Sequence, residues 1–207
     1  MSEVVVTERT RVCRGRKKAR YDRETIYSIL DEAYVCNIGV NIDGQAVVQP
    51  SSHWRVGDEL MLHGSVKNGL FQAILRGETA CITVCLLDGL VFARSAFNHS
   101  VNFRSVVLYG KGRLVEDAAE KQAALAAMID RYSAGRSNDV RPPSDTEMKA
   151  TAVFAFAIEE VSAKVRTGGP SEKPEDLSLD VWAGVKPVAT LIGELIPDLP
   201  LTADSAP

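Results

Sequence analysis

Three observations predict a mainly β fold, an antiparallel barrel of six to seven strands with a few helices. Short strand patterns follow one another at close spacing, turn dipeptides join them, and neither a strand–helix–strand alternation nor a GxGxxG or GxxxxGK[ST] fingerprint is present. With 207 residues, 45% of them hydrophobic, the chain suffices for one globular domain that buries a core without disulfides or metals. No apolar run approaches the roughly 20 residues a membrane span needs, and Met1–Thr10 lacks the apolar stretch of a secretion signal, so the expected location is cytoplasmic.

Asp22 is placed to cap a helix from Arg23 to Ala33, with Ile26, Ile29, Leu30 and Ala33 at helical spacing. Val35–Asn41 and Gln45–Ser51 flank Asp43-Gly44, a pair suited to a tight hairpin because both residues tolerate positive φ, and Pro50 is expected to end the pairing. Asp58–His63 reads as a strand closed by Gly64, and Val66, Leu70, Phe71, Ile74 and Leu75 then trace a helix. Ala80–Leu87 and Leu90–Ser95 read as a second hairpin around Asp88-Gly89.

Val101–Val115 is too long for one regular strand and is expected to bend near Gly110 or Gly112. Asp117 caps a helix over Ala118–Tyr132, Arg136–Ser144 is a polar loop, a short helix covers Ser144–Lys149, and a last strand runs over Thr151–Val165. The expected organisation is a basic arm over residues 1–20, a barrel domain over 21–187 and a C-terminal tail over 188–207, disordered from Ala203 to Pro207.

The net charge of −3 hides an uneven distribution: Arg9, Arg11, Arg14, Arg16, Lys17, Lys18, Arg20 and Arg23 crowd before the first helix. Without interleaved aromatics or a nucleic-acid fold after it, this stretch reads as a solvated arm lying against a partner subunit rather than a nucleic-acid surface. Cys13, Cys36, Cys81 and Cys85 lack metal-ligand spacing. Cys81 and Cys85 share one strand, about 13 Å apart, beyond disulfide reach, and are expected to be buried thiols on one face.

Several stretches together resemble the flavin-binding pyridoxamine-phosphate-oxidase-like proteins, in particular the branch similar to nitroimidazole-resistance reductases. They include Tyr21-Asp-Arg-Glu-Thr-Ile26, Leu62-His-Gly-Ser65, Leu87 to Phe97, His99 to Val106, Lys149-Ala-Thr-Ala-Val153, Ser162-Ala-Lys-Val-Arg166 and Asp180-Val-Trp-Ala-Gly184. The likeness covers about Tyr21 to Pro187. It implies an FMN-binding split barrel, a homodimer, and FMN in a groove lined by both subunits. The implied activity is an NAD(P)H-dependent oxidoreductase acting on a small acceptor, a nitro-aromatic compound among the candidates. The alternative is a non-catalytic flavin- or haem-binding module using the same groove.

A flavin phosphate needs cations or amides, and its ring needs apolar packing. Gly64, Ser65 and Lys67 stand at a strand-to-helix junction, where amides, a hydroxyl and an ammonium can meet a phosphate; a plain serine-capped helix is the other reading. Asn68-Gly69 stands where the family carries a basic residue. Arg104 in an apolar strand calls for an anionic partner, either a phosphate or a carboxylate, with Asn102 on its face and Ser105 beside it. Lys164 and Arg166 lie two apart near Gly168-Gly169, and the resemblance places them at the flavin edge, whereas by themselves they read as a solvated face. His63 is the candidate to donate to flavin, act as an acid or ligate haem iron, and a satisfied structural histidine is the alternative. No catalytic triad, carboxylate pair or metal triad stands out, so any chemistry is expected from the cofactor.

Overall fold

The structure is a computed structural model that describes residues 2–198; the expectation for Ala203–Pro207 lies outside those residues. A two-residue strand, β1 (Ala19–Arg20), precedes α1 (Arg23–Glu32). Asp22 caps that helix by accepting from the Thr25 amide, and Ile26, Ile29 and Leu30 point into the core. The hairpin of β2 (Val35–Ile42) and β3 (Gln45–Val56) turns on Asp43 (φ 51°) and Gly44 (φ 80°), both left-handed. Then come β4 (Glu59–Ser65), α2 (Gly69–Leu75), β5 (Thr79–Phe92), β6 (Ser100–Lys111) and β7 (Arg113–Leu114). The chain continues through α3 (Ala118–Tyr132), α4 (Arg136–Asp139), α5 (Asp145–Ala150), β8 (Thr151–Ala157), β9 (Glu160–Arg166) and β10 (Gly184–Pro187).

All pairings between these strands are antiparallel, in the order β1-β9-β6-β5-β2-β3-β4-β8-β7, with β10 beside β5. The seven long strands are the barrel the sequence predicts, and β1, β7 and β10 are short additions. Strands near opposite ends of this path are neighbours in the chain. Gly112 alone separates β6 from β7, and Ile158-Glu159 alone separate β8 from β9, so the sheet wraps back upon itself.

One core fills the barrel, with α1 and α2 against it and Ile38, Leu62, Ile82, Leu108, Phe154 and Phe156 among its buried side chains. A smaller cluster of Trp54, Met61, Val115, Val153 and Ala155 lies on the opposite face of β3, β4 and β8 under Ala124, Leu125 and Met128 of α3. Arg131 of α3 ties the layers together by donating to the carbonyls of Leu30, Asp31 and Ala33 at the C-terminal end of α1, and to that of His53. Among the described residues no helix is long and apolar enough to cross a membrane.

Four local expectations are corrected. Pro50 does not end β3: it pairs opposite Asn37, in the stretch Gln45–Ser52 where β3 has only β2 for a neighbour and a residue without an amide hydrogen is tolerated. Asp88-Gly89 is no hairpin but a bulge within the continuous β5, which pairs with β6 on both sides of the irregularity. Thr151–Val165 is two strands, one in each half of the barrel. Cys81 and Cys85 do share a face, but it is the outer one: Cys85 is exposed and Cys81 half-buried, while Ala80, Ile82 and Val84 alternate inward. The expected bend near Gly110 or Gly112 falls at Gly112.

A side chain at Gly112 would bring Cβ within 2.7 Å of both Ile74 Cγ2 and Phe156 Cζ, whereas one at Gly69 meets nothing within 4 Å. Gly112→Ala is therefore expected to cost about 1–3 kcal/mol by overpacking, and Gly69→Ala to be neutral or stabilising by up to about 1 kcal/mol, as read from urea unfolding. Buried His53 holds its Nε2 3.0 Å from the Leu30 carbonyl oxygen, and burial depresses its pKa to about 4. Because the unfolded chain takes up this proton near pH 6.5 and the folded chain only near 4, stability should fall as pH drops through that window, by about 3 kcal/mol for this residue. Unfolding midpoints of His53→Gln between pH 7 and 4 should show a correspondingly shallower fall; an unchanged slope would refute the assignment.

Candidate functional site

The basic arm is anchored along its own barrel, with most of its basic side chains exposed. Val4 enters the core, Glu3 bridges to Asp22, and Val4 N–H donates to the Tyr21 carbonyl. Buried Thr10 and the amide of Val12 meet the Tyr21 hydroxyl, which donates to the Thr10 carbonyl oxygen and accepts from the Val12 amide. Thr7 donates to Glu160, and Ala19 and Arg20 pair with Lys164 and Ala163 of β9. The arm is thus pinned along the outer face of β6 and β9, where it walls a cavity of about 230 Å³ with Val12, Cys13 and Arg14 facing Ser105, Val107 and Lys164.

Ser105 and Lys164 sit directly opposite each other in the β6–β9 ladder, so these two candidates share this outer cavity. Arg166, two residues on, is only 8% exposed and donates to the side chain of Asn102, itself 7% exposed, and to the Gly169 carbonyl at 3.1 Å. Asn102 in turn donates to the Gly168 carbonyl at 3.0 Å. Together they fix the Gly168-Gly169 turn beside the cavity, and Arg166 has no carboxylate partner among the described residues.

Arg104 takes the carboxylate alternative. Its Nε and Nη2 donate to Asp88 at 3.0 and 2.7 Å, and Nη1 and Nη2 donate to Glu32 at the end of α1. The guanidinium beside Glu32 holds that carboxyl below its ordinary range. Asp88 can reach Arg104 because the β5 bulge sets it there, and a sequence-based hairpin conceals that role. With both partners in place, Arg104 braces α1 against the sheet and is not an open phosphate ligand.

The junction of β4 and α2 is likewise committed. Asn68 caps α2, its side chain accepting from the amides of Leu70 and Phe71, so the residue that departs from the family pattern takes up the helix-end donors. Neither the serine-capped helix nor the amide cradle at Gly64, Ser65 and Lys67 is what the backbone builds. Ser65 Oγ accepts only from the Lys67 amide at 3.2 Å, and a Cβ at Gly64 would stand 2.3 Å from the Phe71 ring, so glycine there serves packing.

His63 stands where the barrel splits. The β3–β4 pairing ends at His53 and Leu62, so His63 keeps β8 as its neighbour but has lost β3. Its ring meets Trp54 edge-on at 5.6 Å between centroids, burial lowers its pKa, and its Nδ1 is buried without a hydrogen-bond partner. Trp54 Nε1 is unpaired in the same way. His99 Nδ1 donates to the Ser95 carbonyl oxygen, and its ring packs on Phe92, away from this corner.

Eight of the nine candidates therefore fall in two regions, the outer face of β6 and β9 and the β4–α2 corner, with Arg104 apart at the C-terminal end of α1. Tyr109 escaped the sequence reading although alternation along β6 places it on the face of Ser105 and Val107; Arg14 and Lys18 appeared there only as members of a charge run.

The family profile described as Pyridoxamine 5'-phosphate oxidase matches residues 22–165. Among solved structures, the flavocytochrome Anf3 from Azotobacter vinelandii is 40% identical over 97% of this chain and 93% of its own, with a TM-score of 0.91. The FAD and haem binding protein from Mycobacterium smegmatis is 34% identical over 91% of this chain and 93% of its own, with a TM-score of 0.86. A protein proposed to confer 5-nitroimidazole antibiotic resistance, from Bacteroides thetaiotaomicron, is 26% identical over 71% and 86%, with a TM-score of 0.60. A search of curated proteins returned no match. With the profile spanning most of the barrel and full-length likeness to two solved structures, the chain belongs to the pyridoxamine 5'-phosphate oxidase family of split-barrel proteins.

Proposed function

We propose that the protein is a flavin-binding redox protein whose cofactor lies on the outer face of β6 and β9. The observation that carries this reading is the cavity lined by Ser105 and Lys164 beside a turn that Arg166 and Asn102 hold in place. An ammonium and hydroxyls suit a phosphate, and Arg166 adds a buried positive charge without a carboxylate beside it. The flavin would supply hydride or single-electron transfer, while these side chains bind and orient it. FMN is the form the family resemblance implies; FAD is bound by the Mycobacterium smegmatis neighbour according to its description. NAD(P)H as donor and a small acceptor, nitro-aromatic or other, complete the reductase form of this reading.

A second copy of the chain would close the groove. Support comes from the apolar side chains left on the surface, Phe97 at 91%, Trp182 at 68%, Leu191 at 88% and Ile196 at 92% exposed, a set a lone soluble chain seldom leaves open.

Haem at His63 is a further component of the reading, favoured by a specific observation. Its imidazole has an unpaired buried nitrogen at the split of the barrel, next to an unpaired indole nitrogen. Neutral imidazole is the ligand form, and burial lowers the pKa of His63 in the required direction. Two neighbours that align over more than nine-tenths of both chains are described as a flavocytochrome and as an FAD and haem binding protein.

The absorbance spectrum of freshly purified protein should show flavin bands, with a Soret band if haem is held. His63→Ala should abolish the Soret band and leave the flavin bands; a Soret band that persists would reject His63 as the ligand. A colourless protein that takes up neither flavin on titration would reject the whole reading, and bound flavin that no reduced nicotinamide reduces would reject only its reductase form.

A further inference from the structure

We infer that the N-terminal arm and the outer face of β6 form a binding site for an adenosine diphosphate moiety. The inference deepens the flavin reading, on which it rests only in naming FAD as the first bearer of that moiety.

Three cations converge where the arm crosses β9. Arg14 and Lys164 line the 230 Å³ cavity, and at Gly15, whose φ of 70° turns the arm, a Cβ would lie 3.7 Å from Lys18 Cδ and 3.9 Å from Lys164 Cε. The aliphatic stems of Lys18 and Lys164 therefore flank the same turn of the arm. None of the three makes an ion pair among the described residues, although most of the arginines in the body of the barrel do. Like charges gathered without a counter-charge repel, and a polyanion relieves that cost. Ser105 and Ser162 add hydroxyls to the same cavity, so its chemistry matches a diphosphate rather than a carboxylate or an apolar group.

A second cavity of about 460 Å³ lies further along the same strand. Ser105, Val107 and Tyr109 alternate onto one face of β6, with Ser105 and Val107 in the basic cavity and Tyr109 in the second one, about 13 Å from Ser105 by strand rise. Its walls are mostly apolar, with Val40, Val47, Val48 and Ala80 beside the Tyr109 ring, over which Arg9 lies at 5.3 Å. A flat heteroaromatic base suits such walls, and Asn41 among the lining residues offers an amide for its polar edge. A basic cavity followed by a flat apolar one is the order of charge and ring in adenosine diphosphate.

The arm is the part of the site that the family profile does not reach, since the matched stretch begins at residue 22. Arg9, Arg14 and Lys18 would thus extend a phosphate subsite at Ser105 and Lys164 toward the adenylate half of a dinucleotide. Flavin ring and ribityl chain would then lie on the other side of Lys164, toward Arg166 and the Gly168-Gly169 turn. FAD and the reduced nicotinamides both carry this moiety, and FMN lacks it.

The test is calorimetric titration of cofactor-free, full-length protein with ADP, FAD, FMN, NADH and NADPH, repeated on Arg14→Ala/Lys18→Ala. Both positions are surface side chains of the arm, and circular dichroism checks that the fold is kept. ADP should bind and compete with FAD, and FAD should bind at least about tenfold tighter than FMN. The double variant should lose about tenfold or more for ADP and FAD, and the FAD-to-FMN ratio should approach one. Failure of ADP to bind, or an equal loss for FAD and FMN, would overturn the inference. Should ADP compete with NADH or NADPH but not with FAD, the site stands and its bearer is the nicotinamide dinucleotide. Binding of ADP with no uptake of either flavin would sustain the site and reject the flavin reading instead.

Discussion

Everything in this molecule depends on how one sheet closes upon itself. An antiparallel path of strands has two edges that must be paired or covered, and here the chain joins them through links of one and two residues, Gly112 and Ile158-Glu159. Such short links work only if the backbone can turn across a packed interior. At Gly112 it does so against Ile74, Phe154 and Phe156, where no side chain fits. The strand β3 does the complementary task on the other side, pairing with β2 along its first part and with β4 along its last. The place where it changes partner is where His63 loses a neighbour. The split that closes the barrel thereby creates the corner in which an imidazole and an indole are left unpaired.

Much of the fold was legible because alternation and turn chemistry are local signals. The cap at Asp22, the cap at Asp117, and the left-handed turn at Asp43-Gly44 each need only a few neighbours in sequence. What was missed depends on distant partners. Asp88-Gly89 has the composition of a hairpin turn, and only its pairing with β6 and β10 shows that the strand runs through it. The break between β8 and β9 carries neither glycine nor proline; it exists because Ile158 donates its amide to the Asp58 carbonyl and enters the core while the strand changes halves. Nor can Pro50 be judged without knowing which side of β3 lies open.

The site was less legible than the fold for the same reason. Burial of Arg104 demanded an anion, and residue type alone could not say that Glu32, 72 residues away, and the bulged Asp88 would supply it. Asn68 looked like the loss of a cation; in space it is the cap that lets α2 start, with Gly64 making room for Phe71. Lys164 and Arg166 kept the shared face that a two-residue spacing implies, yet their neighbours divide them. Lys164 opens to a cavity walled by the arm, while Arg166 is spent on Asn102 and the glycine turn.

The distribution of charge then makes sense of a chain whose net charge is nearly neutral. Several carboxylates of the barrel brace it: Asp31 and Glu32 on α1 take Arg55 and Arg104, Glu59 and Glu120 share Arg113, and Glu172 takes Arg94. Each such pair is partly exposed and adds little to stability by itself, but it orients elements that would otherwise slide. On the arm the opposite holds, because Glu160 answers Arg9 and nothing among the described residues answers Arg14 or Lys18. Arg14, Lys18 and Lys164, gathered on this outer strand face with no carboxylate paired to them among the described residues, leave unspent positive potential there. Since the arm is pinned by Tyr21, Glu160 and β9 and is not free to swing toward distant carboxylates, that potential is a fixed property of the face, and an incoming polyphosphate meets it without further cost of ordering the chain.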